Sequence, residues 1–314
     1  MKNNLFHKLL LLAFAGSVFT ACNQSGGQEV STPTAGNVVV TADESFQPII
    51  ESQISTFEGI YKRADVEGKY KPEGEAMNDL LNDSTKIVIL SRELTETEKA
   101  AFEKKKRFPK VTKLAVDAVA LVVNKSNPDS LLTMDQVKQI FSGTTTTWKA
   151  LNSKSTLENI TIVFDNNNSS TARYVRDSLT VSKKLPGNTF ASNSHKALID
   201  YVAQNKNAIG VIGVNWISDS DDTTAVNFTK QVKVIGISTD PNPATTESYY
   251  QPYQAYIAQG TYPLRRNLYV INVEGRAGLG TGFVSFIAGD KGQRIILKSG
   301  LVPATMPVRV IGVK

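Results

Sequence analysis

Ten consecutive residues, Leu114 to Val123 (LAVDAVALVV), are apolar but for one aspartate. A run of this kind reads as a buried strand, long enough to pass from one domain to another. The flanking sequence has the same character, with short β-branched runs alternating with helical patterns. A strand is expected at Asn37–Thr41. Ser45 is a candidate N-cap, Pro48 sits in the first turn, and Ile49, Ile50, Ile54, Phe57 and Ile60 follow at helical spacing. A polar helix around Gly74–Asn82, a strand at Lys86–Leu90 and a charged helix at Leu94–Lys106 complete the first unit.

A second unit begins near Asn124. Thr133 and Gln136 form a capping box ahead of Val137, Ile140 and Phe141, and Gly143 stops that helix. Ile160–Phe164 reads as a strand, and Ser170 as the cap of a helix carrying Ala172, Val175 and Leu179. A helix at Ser194–Gln204 leads to strands at Ala208–Val214, Gln231–Ile237 and Leu268–Val273. Thr281–Lys298 is expected as one helix with Phe283, Phe286, Ile287 and Ile295 inward, closed by Gly300. Strands alternating with helices predict an α/β architecture with mostly parallel sheets.

The only cysteine, Cys22, follows Lys2, Lys8, an apolar stretch Leu9–Phe19 and the small residues Thr20 and Ala21. That order is the layout of a secretory signal, and the apolar stretch falls short of the roughly 20 residues a membrane-spanning helix needs. A cleavage site ending on cysteine resembles the bacterial lipobox, with Phe19 where leucine is usual. Residues 1–21 are therefore expected to be a lipoprotein signal, and Cys22 the acylated anchor. Residues 22–36, rich in Gly, Ser, Thr and Gln, are expected to be a flexible tether. An ordinary cleaved signal peptide is the plainer alternative. A single cysteine allows no intramolecular disulfide, so stability must come from the core. The formal charge of +6 includes Lys2 and Lys8. The balance left after their removal favours an anionic ligand weakly and gives no reason to expect nucleic acid.

Two segments carry binding chemistry. Asp165–Thr171 (DNNNSST) lies between a strand and a helix, which gathers its hydroxyls and amides at a helix N-terminus, where unpaired N–H groups and partial positive charge favour anions. Asp43–Gln47 has the same context. Each alone is explained by helix capping; together, one in each unit, they suit closure on a small anion from opposite sides.

In this respect the chain resembles the phosphate-binding, PstS-like proteins of bacterial ABC importers. The residues carrying the resemblance are Thr41, Ser45 and Phe46, Ser91, the segment Asp117–Asn124, Leu132–Gly143 followed by Trp148, and Ser169-Ser170-Thr171. Ala208–Gly210, Tyr262–Leu264, Gly292-Gln293 and Gly300–Pro303 complete the set. The resemblance implies a two-lobed, type II periplasmic-binding-protein-like fold. Lobe 1 would comprise residues 37–119 and 266–314, and lobe 2 residues 120–265, with crossings near Val119–Asn124 and Tyr262–Tyr269.

It also implies capture of an oxyanion, foremost inorganic phosphate, and delivery to an ABC permease by an exported, membrane-anchored, monomeric protein. Such a protein needs no cofactor and catalyses nothing. Ser45, Phe46, Ser91, Ser169, Ser170 and Thr171 match the family's phosphate contacts. Where the family has an aspartate after Ser91 and an arginine four residues before Ser169, this chain has Arg92 and Asp165, which reads as an exchanged pair: Arg92 the cation, Asp165 the proton acceptor. Glu73 stands where the family offers a serine, and a carboxylate there repels phosphate unless turned away. Those departures leave room for a sensory or scaffold module on the same fold; a phosphate-ester hydrolase lacks a convincing nucleophile or metal set. His195 is expected at the surface, Trp148 and Trp216 in packing roles, and Lys104–Arg107 on a solvated face.

Overall fold

The computed structural model describes residues 31–308, so the signal segment 1–21 and Cys22 lie outside the described residues. Twelve strands form among them: β1 (Ala35–Asp43), β2 (Arg63–Lys71), β3 (Ile87–Leu90), β4 (Lys110–Asn124), β5 (Leu131–Thr133), β6 (Thr161–Phe164), β7 (Thr189–Ala191), β8 (Ala208–Gly213), β9 (Val232–Val234), β10 (Gly236–Ser238), β11 (Arg265–Asn272) and β12 (Val302–Pro303). The apolar run of the sequence is the core of β4, and it organises everything else. Its first part pairs antiparallel with β11, down to Ala118 opposite Arg265. From Val119 to Val123 it pairs instead with β8. One strand thus belongs to two sheets, in the order β2-β1-β3-β11-β4-β8-β6-β7.

The partner change at Ala118/Val119 is tied to the second passage between the lobes. The Val119 amide donates to the Leu264 carbonyl at 2.8 Å, and the buried Tyr262 hydroxyl donates to the Val119 carbonyl at 2.7 Å. The sheets are mixed rather than mostly parallel. β2, β1 and β3 run parallel in one lobe, and β7, β6 and β8 in the other. β4 and β11 run antiparallel to each other and to the strands beside them, because each passes between lobes in the opposite direction.

Both faces of the first sheet are covered, which explains its continuous apolar strands. Ile87 and Ile89 join the main core with Ile49, Ile50 and Phe57. Val88 and Leu90, on the alternate face, join a second cluster with Met77, Leu80 and Phe102. The helices supplying these residues are Gln47–Ile60, Glu73–Leu81 and Glu96–Lys104. Truncating a side chain such as Ile89, fully buried, costs about 2–5 kcal/mol. The capping box of Thr133 and Gln136 is present, and Gly143 ends that helix at φ 77°.

Four local expectations are corrected. The last helix is two, Leu279–Ala288 and Asp290–Lys298. The chain folds back at Gly289 so tightly that a Cβ on Gly292 would sit 2.4 Å from Ile287 Cα. Gln231–Ile237 is likewise not one strand: β9 pairs with β4 and β10 with β5, so the chain changes sheets at Ile235. The expected tether gives way to structure before residue 36. Ser31 Oγ accepts from the Leu279 amide at 2.9 Å and β1 begins at Ala35. His195 is buried, not superficial, and stacks on Trp216 at 4.2 Å. Among the described residues no helix is long and apolar enough to cross a membrane.

Candidate ligand site between the lobes

The site starts where β1 ends. Asp43 Oδ1 accepts from the Ser45 amide at 3.0 Å and caps the single 3-10 turn Glu44–Phe46 that leads into the Gln47–Ile60 helix. Asp43, not Ser45, is therefore the cap. A carboxylate immediately ahead of a turn reaches its N–H groups better than a hydroxyl inside it. The Ser45 hydroxyl is released and faces the other lobe. The same shift occurs across the cleft. Ser169 caps the helix Ser170–Leu179, its Oγ accepting from the Ala172 amide, which leaves the Ser170 hydroxyl free. The two released hydroxyls lie 3.2 Å apart.

Asp43 also bridges the lobes. Its carboxylate accepts from the Ser170 hydroxyl at 2.7 Å and from the Ser170 amide at 3.3 Å. This is an anion held at a helix N-terminus, and the anion belongs to the chain itself. Arg266 on β11 completes the cluster. Its Nε donates to Asp117 Oδ2 at 2.7 Å, one NH group donates to Ser170 Oγ at 2.8 Å, and its carbon lies 4.7 Å over the Phe46 ring. Arg266 and Asp117 are direct cross-strand partners of β11 and β4, both almost wholly buried. The remaining guanidinium nitrogen, NH2, is buried without a partner. Room for it depends on Gly213, where a Cβ would stand 2.9 Å away.

A second cluster crosses the cleft beside the first. Glu73 accepts from the Ser91 hydroxyl at 2.7 Å, the Ser91 amide at 3.2 Å, Arg92 Nε at 3.1 Å and Arg173 Nε at 2.5 Å. Arg173 also donates to Ser91 Oγ at 2.7 Å. Burial works to raise the Glu73 pKa, but Arg173, Ser91 and Arg92 overcome it and hold the carboxyl below its ordinary value. Asp43 is pushed the other way, to about 6, by burial first and by the nearby charge of Glu73 second, against the pull of Arg266.

The expected site residues thus meet in part. Ser45, Phe46, Ser169, Ser170 and Thr171 converge. Ser91 and Glu73 join through Arg173, so the Glu73 carboxylate is neutralised rather than turned into solvent. Arg92 and Asp165 do not act as an exchanged pair. Arg92 is consumed by Glu73, by a bidentate pair with Glu98 at 2.7 and 2.8 Å and by the Glu93 carbonyl. Asp165 accepts from Thr171 Oγ1 at 3.1 Å and stands 3.6 Å from His195 Nε2. The arginine and carboxylate at the centre are Arg266 and Asp43, which sequence reasoning missed. One signal was available: Asp117 is the single charge in the apolar run, and an isolated buried charge requires an opposite partner. Among the described residues no group of three His, Cys, Asp or Glu side chains is placed to hold a metal ion.

Comparison with known proteins gives a consistent picture. A family model described as PBP superfamily domain matches residues 27–291. The phosphate-binding protein PstS of Staphylococcus saprophyticus is 26% identical over 285 residues, covering 90% of this chain and 85% of the relative. PstS of Pseudomonas aeruginosa is 24% identical, covering 88% and 85%. Among solved structures, a putative phosphate ABC transporter substrate-binding protein with bound phosphate from Clostridium perfringens superposes with a TM-score of 0.69 at 23% identity. That match covers 86% of this chain and 100% of the other. An ABC-type phosphate transport receptor from Vibrio cholerae superposes with a TM-score of 0.63 at 21% identity, covering 85% and 100%. At these identities the structural likeness speaks for the fold.

Proposed function

The chain belongs to the PBP superfamily, and from that premise we propose that it is an exported solute-binding protein that captures inorganic phosphate between its lobes for an ABC importer. The observation that carries the reading is that Arg266, whose NH2 is buried and unpartnered, and the Asp43 carboxylate both bond to Ser170 at the N-terminus of the Ser170–Leu179 helix. A proton-bearing oxyanion needs this mixture. Arg266, the Ser45 and Ser170 hydroxyls and the helix N–H groups donate to its charged oxygens, while Asp43 accepts the P–OH proton. Sulfate, fully ionised, brings no such proton, so its oxygen would face the Asp43 carboxylate in a desolvated repulsive contact.

No bond is made or broken in this role. The lobes meet through Asp43–Ser170 and Glu73–Arg173, so hinge motion about the paired passages at Val119 and Tyr262–Leu264 opens the site and closure offers a permease a defined surface. The PstS relatives, named for phosphate binding, favour the same ligand. Acylation of Cys22 would keep this body beside its permease, and a monomer suffices. The sensory or scaffold alternative would bind no oxyanion. Calorimetric titration of the purified protein with phosphate and with sulfate tests the reading. Phosphate binding with sulfate rejected is expected; absence of phosphate binding would overturn it.

A further inference from the structure

Beside the anion cluster lies a cavity of about 660 Å³ walled from both lobes, by Glu44 and Gln47 on one side and by His195, Trp216 and Phe228 on the other. Glu44 sits between Asp43 and Ser45 in sequence, so the cavity shares a wall with the oxyanion site. Three lining residues keep a buried polar atom without a hydrogen-bond partner: Glu44 Oε1, His195 Nε2 and Trp216 Nε1. A fourth such atom, Asp165 Oδ2, lies 3.6 Å from His195 Nε2. His195 is only 6% exposed and Asp165 only 1%. Buried polar atoms are almost always paired, so three orphans on the lining of one cavity, with Asp165 Oδ2 close to His195, point to a ligand group that pairs with them.

The charge of that group follows from its neighbours. Asp43, Glu44 and Asp165 bring three carboxyl groups together, and no lysine or arginine among the described residues forms an ion pair with Glu44 or Asp165. Burial, then Asp165 and Asp43, raise the Glu44 pKa to about 8, the mark of a carboxyl lacking a cation. Burial keeps the His195 imidazole neutral, against the pull of Asp165, which leaves Nε2 available to a donor. The lysines on the rim, Lys196 and Lys230, are exposed, and Lys196 is engaged with Asp200.

We propose that this cavity receives the ammonium end of an aminoalkyl phosphate or phosphonate whose oxyanion is held by Ser45, Ser170 and Arg266. The inference rests on the phosphate reading and extends it to a zwitterionic ligand class. The ammonium donates to Glu44 and His195 Nε2, and the Asp165 carboxylate, 3.6 Å from His195 Nε2, adds its negative charge. Inorganic phosphate then fills only the anionic half of the site.

Titration calorimetry with phosphate, ethylphosphonate and 2-aminoethylphosphonate tests it. The amine is expected to tighten binding at least about tenfold over ethylphosphonate, the range of a charge-assisted hydrogen bond. Glu44→Gln is expected to remove that difference while leaving phosphate affinity within about threefold. Equal affinity of the two phosphonates, or exclusion of both while phosphate binds, would overturn the inference and leave the phosphate reading intact. Failure of all three to bind would overturn both.

Discussion

Two ionic clusters join the lobes, and they differ in completeness. Around Glu73 every strong group is matched: the carboxylate takes donors from Ser91, Arg92 and Arg173, and its pKa is lowered. Around Asp43 the matching is incomplete. Arg266 keeps an idle NH2, and Asp43 is raised to about 6 despite the arginine nearby. A saturated cluster holds a geometry; an unsaturated one leaves capacity for a ligand. On the reading proposed above, the first acts as a latch between lobes and the second as the binding site.

The largest effect is expected from Arg266→Ala. It strands Asp117, 0% exposed, without its cation, and unfolding in urea is expected to show a loss of about 3–5 kcal/mol. Glu73→Ala comes close behind, with a loss of about 3 kcal/mol, because Arg92 and Arg173 are each about one-fifth exposed and recover some hydration. If Glu73 is only a latch, the phosphate affinity of the closed form survives this change, and a loss above about a hundredfold would merge the two clusters into one site.

Asp43→Asn sharpens the contrast through pH. Asp43 is neutral below about pH 4 in both folded and unfolded chains, and ionised in both above about pH 6. Because folding raises its pKa, ionisation costs the native state stability, about 3 kcal/mol in full, lost as pH rises between those limits. Denaturation curves of ligand-free Asp43→Asn are expected to lack that decline. Glu73, whose pKa is lowered, acts in the opposite sense: its contribution is present above its ordinary pKa and lost as pH falls. A smaller effect belongs to Ser169→Ala, about 1 kcal/mol for a lost N-cap, read as a lower thermal midpoint.

How much of this was legible depended on sequence distance. The Thr133–Gln136 capping box is encoded within four residues and reads directly. So do the continuous apolar run of Ile87–Leu90 and the passage of β4 between sheets. Ser45 and Ser170 were recognised as hydroxyls at helix starts, but each cap lay earlier in the chain, at Asp43 and Ser169. That displacement, invisible to local propensity, releases both hydroxyls into the cleft. Arg266 and Asp117 are separated by 149 residues, and only the β4–β11 register brings them together. Arg92 misled because its place in a motif said nothing of Glu98, six residues on, which captures it through two hydrogen bonds.

The most direct test of the central claim compares phosphate affinity in Arg266→Lys and Arg92→Ala by calorimetry. Lysine keeps the charge near Asp117 but loses the planar fork that serves Asp117, Ser170 and a ligand together. Arg266→Lys is expected to weaken phosphate binding by about tenfold or more, and Arg92→Ala by less than about threefold. The reverse order, with Arg92 indispensable and Arg266 replaceable, would contradict the assignment of the unsaturated cluster as the binding site.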